Sequence, residues 1–131
     1  MIDTLKIWHE LAQSGSTQGL DELLAEDAVF HSPVVHTPQR GRAVTRDYLA
    51  AAFHVLNNDK FEYLREIVDG NTAVLEFRTE LDGTVINGVD IIEWDETGRI
   101  RDFKVMVRPL RAINKLHEMM AAVLEARKGE R

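Results

Sequence analysis

The chain contains no cysteine. That absence removes disulfides, a thiolate nucleophile and any cysteine-ligated metal site. No apolar run approaches the roughly 20 residues that a membrane-spanning helix needs. The opening MIDTLKIWHE carries charge too early for a secretory signal. Basic residues are in the minority, 16 Lys and Arg against 22 Asp and Glu, for a net charge of −6. That balance argues against a nucleic-acid binder, which needs a basic stripe, and against an anionic membrane surface as partner. No GxGxxG, GxSxG or GKS element occurs, so nucleotide binding and serine-hydrolase chemistry have no support. GRAV at 41–44 is a helix start and no phosphate loop. No motif implies a cofactor. The expectation is a cytoplasmic protein.

What is present suits a single domain over residues 1–131, with 44% hydrophobic residues to build one core. Leu5, Trp8 and Leu11 or Ala12 recur at helical spacing and predict a helix over 3–14, stopped by Gly15. Leu20, Leu23 and Leu24 suggest a second, short helix. Residues 28–32 read as a short extended piece ended by Pro33, followed by a loop through Pro38 to Gly41. RAVTRDYLAAAFHVL is a third helix. Strands follow at 61–68, 72–81, 85–94 and 99–107, separated by the turn signals Asp69-Gly70-Asn71, Asp82-Gly83 and Asp95 to Gly98. Pro109 ends the sheet, and 110–127 is helix-prone. This segregation indicates α+β with a mostly antiparallel sheet.

Strand alternation assigns the faces. Leu75, Phe77, Thr79 and Leu81 share one side of their strand, and Glu76, Arg78, Glu80 and Asp82 share the other. One apolar and one charged face describe a sheet covered by helices on one side only. NGVDIIEW, residues 87–94, sets a carboxylate into this pattern: Asp90 shares a side with Ile92 and Trp94. Two placements follow. Regular alternation puts Asp90 on the covered face, whereas a bulge at Gly88 shifts the parity by one and turns it outward toward an arginine.

An N-terminal helix ending at SGSTQGLDELLAEDAVFHSPV, then GRAVTRDYLAAAF, then hairpins with GVDIIEWDETGRIRDF, resembles the nuclear transport factor 2-like superfamily, on its SnoaL-like and ketosteroid-isomerase-like side. The resemblance runs from about residue 3 to residue 109. It implies a cone: a curved sheet wrapped around three helices, enclosing a deep apolar pocket. It also implies a homodimer through the outer sheet face. The extra helix from Leu110 would cap the pocket or join the dimer contact. Glu76, Arg78, Glu80, Lys104 and Arg108 offer both signs of charge for pairing across such a two-fold, a contact that salt would weaken.

Asp90 falls where the steroid isomerases of this superfamily carry a protonated aspartate that donates to a developing oxyanion. The other isomerase positions differ. Ser32 stands where their base precedes a Pro-Val pair, and Trp8 stands where their tyrosine lies on the first helix. A serine cannot abstract a carbon-bound proton unaided, and an indole N–H donates without titrating. The resemblance thus argues against steroid isomerisation by the family mechanism. It favours lyase, isomerase or cyclase chemistry on a small, largely apolar substrate, with a non-catalytic dimeric binding module as the alternative. Asp90 is the candidate acid–base group. Trp8 and Ser32 would add polar contacts, and Phe30, Tyr48, Phe53, Phe77, Trp94 and Phe103 would shape the wall.

HSPVVH places His31 and His36 around Pro33. Either could be an imidazole at the pocket mouth, with His31 in reach of Asp90 for proton transfer. Equally, Phe30 and Ser32 take the inner parity, which leaves His31 on the outer face and His36 in an ordinary loop. Their spacing matches no familiar metal-ligand pair, and no metal is expected. Met119 and Met120 read as helix packing.

Overall fold

A computed structural model describes residues 3–129. Helix α1 spans Thr4–Ser14 and α2 spans Leu20–Leu23. Strands β1, Leu24–His31, and β2, Gln39–Arg40, precede α3, Arg42–Leu56. Four strands follow: β3, Glu62–Asp69; β4, Thr72–Leu81; β5, Thr84–Trp94; and β6, Ile100–Arg108. Helix α4, Leu110–Gly129, ends the chain's described part. The Asp3 carboxylate accepts from Lys6 N–H to start α1, and Gly15, left-handed at φ 70°, returns its N–H to Leu11 to end it.

The six strands form one curved, unclosed sheet in the order β2-β1-β6-β5-β4-β3. All neighbours are antiparallel except β1 and β6, which run parallel. The α+β class with a mostly antiparallel sheet is therefore as read from the sequence. In β4, Ala73, Leu75, Phe77, Thr79 and Leu81 are buried while the residues between them are half-exposed. Their side packs against Trp8 of α1, Leu20 and Leu23 of α2, and Leu49 and Phe53 of α3. Ala112 and Leu116 of α4 join the same core.

Gly88 makes no bulge. The β4–β5 ladder runs unbroken from Thr72↔Glu93 to Leu81↔Thr84. The glycine serves packing instead: a Cβ there would lie 2.6 Å from the Phe77 ring and 2.6 Å from the Met106 carbonyl oxygen. Phe77 lies across the space that a side chain at position 88 would occupy. Regular parity then carries Asp90 inward with Ile86 and Ile92. The irregularities of the sheet sit elsewhere, between Tyr63 and Arg65, at Glu93/Trp94, and between Leu24 and Val29.

The outer face is less uniformly charged than its alternation suggests. Its centre holds Ile67, Val74 and Ile91 in one cross-strand row and Val89 beside Met106 in the next. Ile67 and Met106 are 61% and 52% exposed. The charges around them pair within the chain: Arg65 with Glu76, Lys60 and Arg78 with Glu80, and Arg101 with Glu93. No helix among the described residues is long and apolar enough to cross a membrane.

Candidate functional site

Asp90 stands in the row Leu75–Asp90–Val105 on the concave side of the sheet. It is 7% exposed in apolar surroundings. Tyr63, from β3, reaches it from the neighbouring row and donates its hydroxyl to Asp90 Oδ2 at 2.8 Å. Trp8, from α1, donates its indole N–H to the Tyr63 oxygen at 3.0 Å. Three elements thus converge on one carboxyl. Burial pushes the Asp90 carboxyl up to about 7, and the Tyr63 hydrogen bond acts in the opposite direction. The Tyr63 phenol is held well above its ordinary value, first by burial and then by the negative charge of Asp90.

Two cavities adjoin. The smaller, about 30 Å³, touches Asp90, Tyr63 and Trp8 and is walled by Phe53, Phe77 and Phe103. It has room for about one water molecule. The larger, about 200 Å³, lies between the end of β1, α3 and α4. Phe30, Ser32 and Tyr48 form one side of it, with the Phe30 and Tyr48 rings stacked 5.1 Å apart. Leu116, Met120 and Leu124 of α4 form the other. Ala52, Leu56 and Val105 belong to both cavities and separate them. α4 thus caps the larger space. Its lining is nearly all apolar, which suits a ligand with a largely apolar body.

Most of the expected residues gather at these two spaces, and three do not. His31 follows the outer parity, because Phe30 takes the inner one; it bonds Asp102 at 2.8 Å on the convex side and does not meet Asp90. His36 is an exposed loop residue on neither cavity wall. Trp94 keeps the inner parity opposite Ile100 but lies at the far end of β5, outside both cavities. Ser32 faces the larger cavity, yet its hydroxyl already accepts from the Val34 and Val35 N–H groups and holds the turn around Pro33. The indole N–H of Trp8 is directed to Tyr63. Among the described residues no three His, Asp or Glu side chains are grouped to hold a metal ion.

Tyr63 is the side chain at this site that is absent from the sequence reading. Its signal was alternation with Phe61, whose ring meets it edge-on at 5.0 Å. The α4 side chains of the larger cavity were legible as an apolar helix face but not as a cavity wall.

A family model described as the SnoaL-like domain matches residues 6–103. A steroid delta-isomerase from Pseudomonas aeruginosa is 38% identical, with 96% of this chain and 92% of that chain covered and a TM-score of 0.91. An uncharacterised protein with a cystatin-like fold from Silicibacter pomeroyi is 30% identical, with 93% and 85% covered and a TM-score of 0.85. A nuclear transport factor 2-like protein of unknown function from Mesorhizobium loti is 21% identical, with 82% and 89% covered and a TM-score of 0.71. No curated protein matches the chain.

Proposed function

We propose a function for this chain as what it is, a member of the SnoaL-like domain family within the nuclear transport factor 2-like superfamily: an acid–base enzyme that moves a proton on a small, largely apolar, carbonyl-bearing substrate. The observation that carries this reading is the buried Asp90 carboxyl, poised at about 7 and facing an apolar cavity. A group with that value is present as both acid and base at neutral pH, the condition for general catalysis in either direction. Protonated, it donates to a carbonyl oxygen; ionised, it accepts a proton from carbon. The likeness to a steroid delta-isomerase supports enolisation as the reaction class. The cavities, about 200 and 30 Å³, lie below the ~300–1,000 Å³ typical of drug-sized ligands. Together with Ser32 in place of a carboxylate base, they point to a substrate smaller than a steroid. Its apolar body would fill the space under α4, with its oxygen directed past Ala52 to Asp90.

Exchange of the α-protons of cyclohexanone in D₂O, followed by NMR, tests the reaction class. The wild-type protein is expected to accelerate exchange, and Asp90→Asn to lose about 10²–10⁴-fold of that acceleration. Ala52→Phe, placed between the cavities, should abolish acceleration while the Asp90 titration persists. Wild-type protein that binds cyclohexanone without accelerating exchange would favour the second reading, a non-catalytic binding module. The space beside Asp90, large enough for about one water, supports that alternative.

The outer sheet face fits a second copy of the chain. Its apolar centre, Ile67, Val74, Val89, Ile91 and Met106, is rimmed by charges of which Arg65 and Glu76, and Arg101 and Glu93, pair within the chain, while Lys104 beside Ile91 makes no ion pair among the described residues. An isologous contact would bury this centre against itself. Because the centre is apolar and most rim charges pair internally, the dimer is expected to persist in high salt, in contrast to one held by ion pairs across the two-fold. Sedimentation should show a dimer at micromolar concentration for the wild type and a monomer for Met106→Lys. A wild-type monomer would rule the contact out.

A further inference from the structure

Trp8, Tyr63 and Asp90 form a line of hydrogen bonds whose direction is fixed at its first link. An indole N–H can donate but never accept. Trp8 therefore donates, and the Tyr63 oxygen accepts at 3.0 Å. Tyr63 has a single hydroxyl hydrogen, and it points to Asp90 Oδ2 at 2.8 Å. Oδ2 is thereby an acceptor. Oδ1 has no hydrogen-bond partner among the described residues, and Asp90 borders the small cavity. While Tyr63 donates to Oδ2, a proton taken up by Asp90 is received on Oδ1.

We propose that Trp8 and Tyr63 are positioning residues, a one-way donor line that occupies Oδ2 and leaves Oδ1 as the atom through which Asp90 exchanges a proton with its ligand. This rests on the reading of Asp90 as the proton-exchanging group. While it donates to Oδ2, Tyr63 has no hydrogen left for the ligand. The ligand oxygen is therefore met by one donor, the Oδ1 proton, and not by two. Such a site selects a neutral acceptor, a carbonyl, ether or epoxide oxygen, over a ligand already carrying full negative charge. A single donor compensates a desolvated anion poorly, and ionised Asp90 repels it.

The test is a carbon-13 NMR titration of the Asp90 carboxyl in the full chain. Tyr63 donates to the charged form, so Tyr63→Phe should move the Asp90 midpoint upward by about one pH unit or more. Trp8→Phe should move it upward by less, because Tyr63 still donates. An unchanged or lowered midpoint in folded Tyr63→Phe protein would overturn the proposal. If that variant does not fold, the wild type decides. Its Trp8 indole proton and Tyr63 ring Cζ resonances should both shift at the Asp90 midpoint, and flat resonances would refute the line. A cyclohexanone-exchange failure with these shifts intact would remove the enzyme reading and leave the donor line standing.

Discussion

Asp90→Asn is expected to raise stability at pH 8 and to remove a downward slope in the wild-type stability curve between about pH 4 and pH 7. The Asp90 carboxyl titrates at 3.8 when unconstrained and at about 7 in the fold. Between those values the folded protein holds a proton that the unfolded chain has released. The unfolded state thus binds fewer protons, and stability falls as pH rises through the window. Below about pH 4 both states are protonated and the effect is absent; above about pH 7 the loss is complete. Each pH unit in the gap corresponds to about 1.4 kcal/mol, so the full loss is about 4 kcal/mol at most. Asparagine keeps an oxygen for the Tyr63 hydroxyl to donate to. It also introduces an amide N–H₂ beside an apolar cavity, so the gain at pH 8 should fall short of that ceiling. Glu76, Glu80 and Asp95, whose values are lowered by hydrogen bonds to neighbours, produce an opposite slope as pH falls. The difference between wild-type and variant curves cancels them. Urea unfolding at half-unit intervals from pH 4 to 8 measures it. Parallel curves would mean that Asp90 is ionised in the fold and solvated by something that its surroundings do not show.

The strands were legible wherever alternation stays regular. In β4, and in β5 from Ile86 to Ile92, every second residue is buried, so Asp90 could be placed from Ile92 and Phe77 alone once Gly88 proved regular. The start of β1 was not legible. Leu23 and Leu24 follow Leu20 at helical spacing, yet Leu24 already belongs to the strand. Tertiary pairing of Leu24 with Ile100 overrides the local helical pattern. Tyr63 was hidden by a bulge. Strict alternation puts Tyr63, Arg65 and Ile67 on one side, and Arg65 and Ile67 face outward. The register shift between Tyr63 and Arg65 breaks that link and lets Tyr63 point in while its neighbours point out. The cavity under α4 was beyond sequence because it is a difference of volumes. It depends on how closely α4 approaches Phe30 and Tyr48, and no periodicity encodes that distance.

Trp8 carries the second large expected effect. It is 2% exposed, tilted against Phe53 at 5.2 Å and against Phe103 at 4.9 Å. Trp8→Ala should cost roughly 3–5 kcal/mol, the range for a buried aromatic whose space cannot fully collapse. Trp8→Phe separates its two roles, because it keeps most of the volume and deletes the donor. Read from sequence, the indole N–H was a candidate contact for a ligand; the fold directs it to Tyr63 instead. Loss of that bond leaves the Tyr63 hydroxyl still donating to Asp90, so no group is stranded without a partner. The expected cost of Trp8→Phe is therefore about 1 kcal/mol, that of one neutral hydrogen bond, and it should appear in stability. Affinity for cyclohexanone, measured on protein shown to be folded, should change by less than about twofold, since the indole N–H does not reach the ligand. An affinity loss of tenfold with an unchanged melting temperature would reverse this assignment: Trp8 would then turn its N–H from Tyr63 to the ligand when the cavity fills.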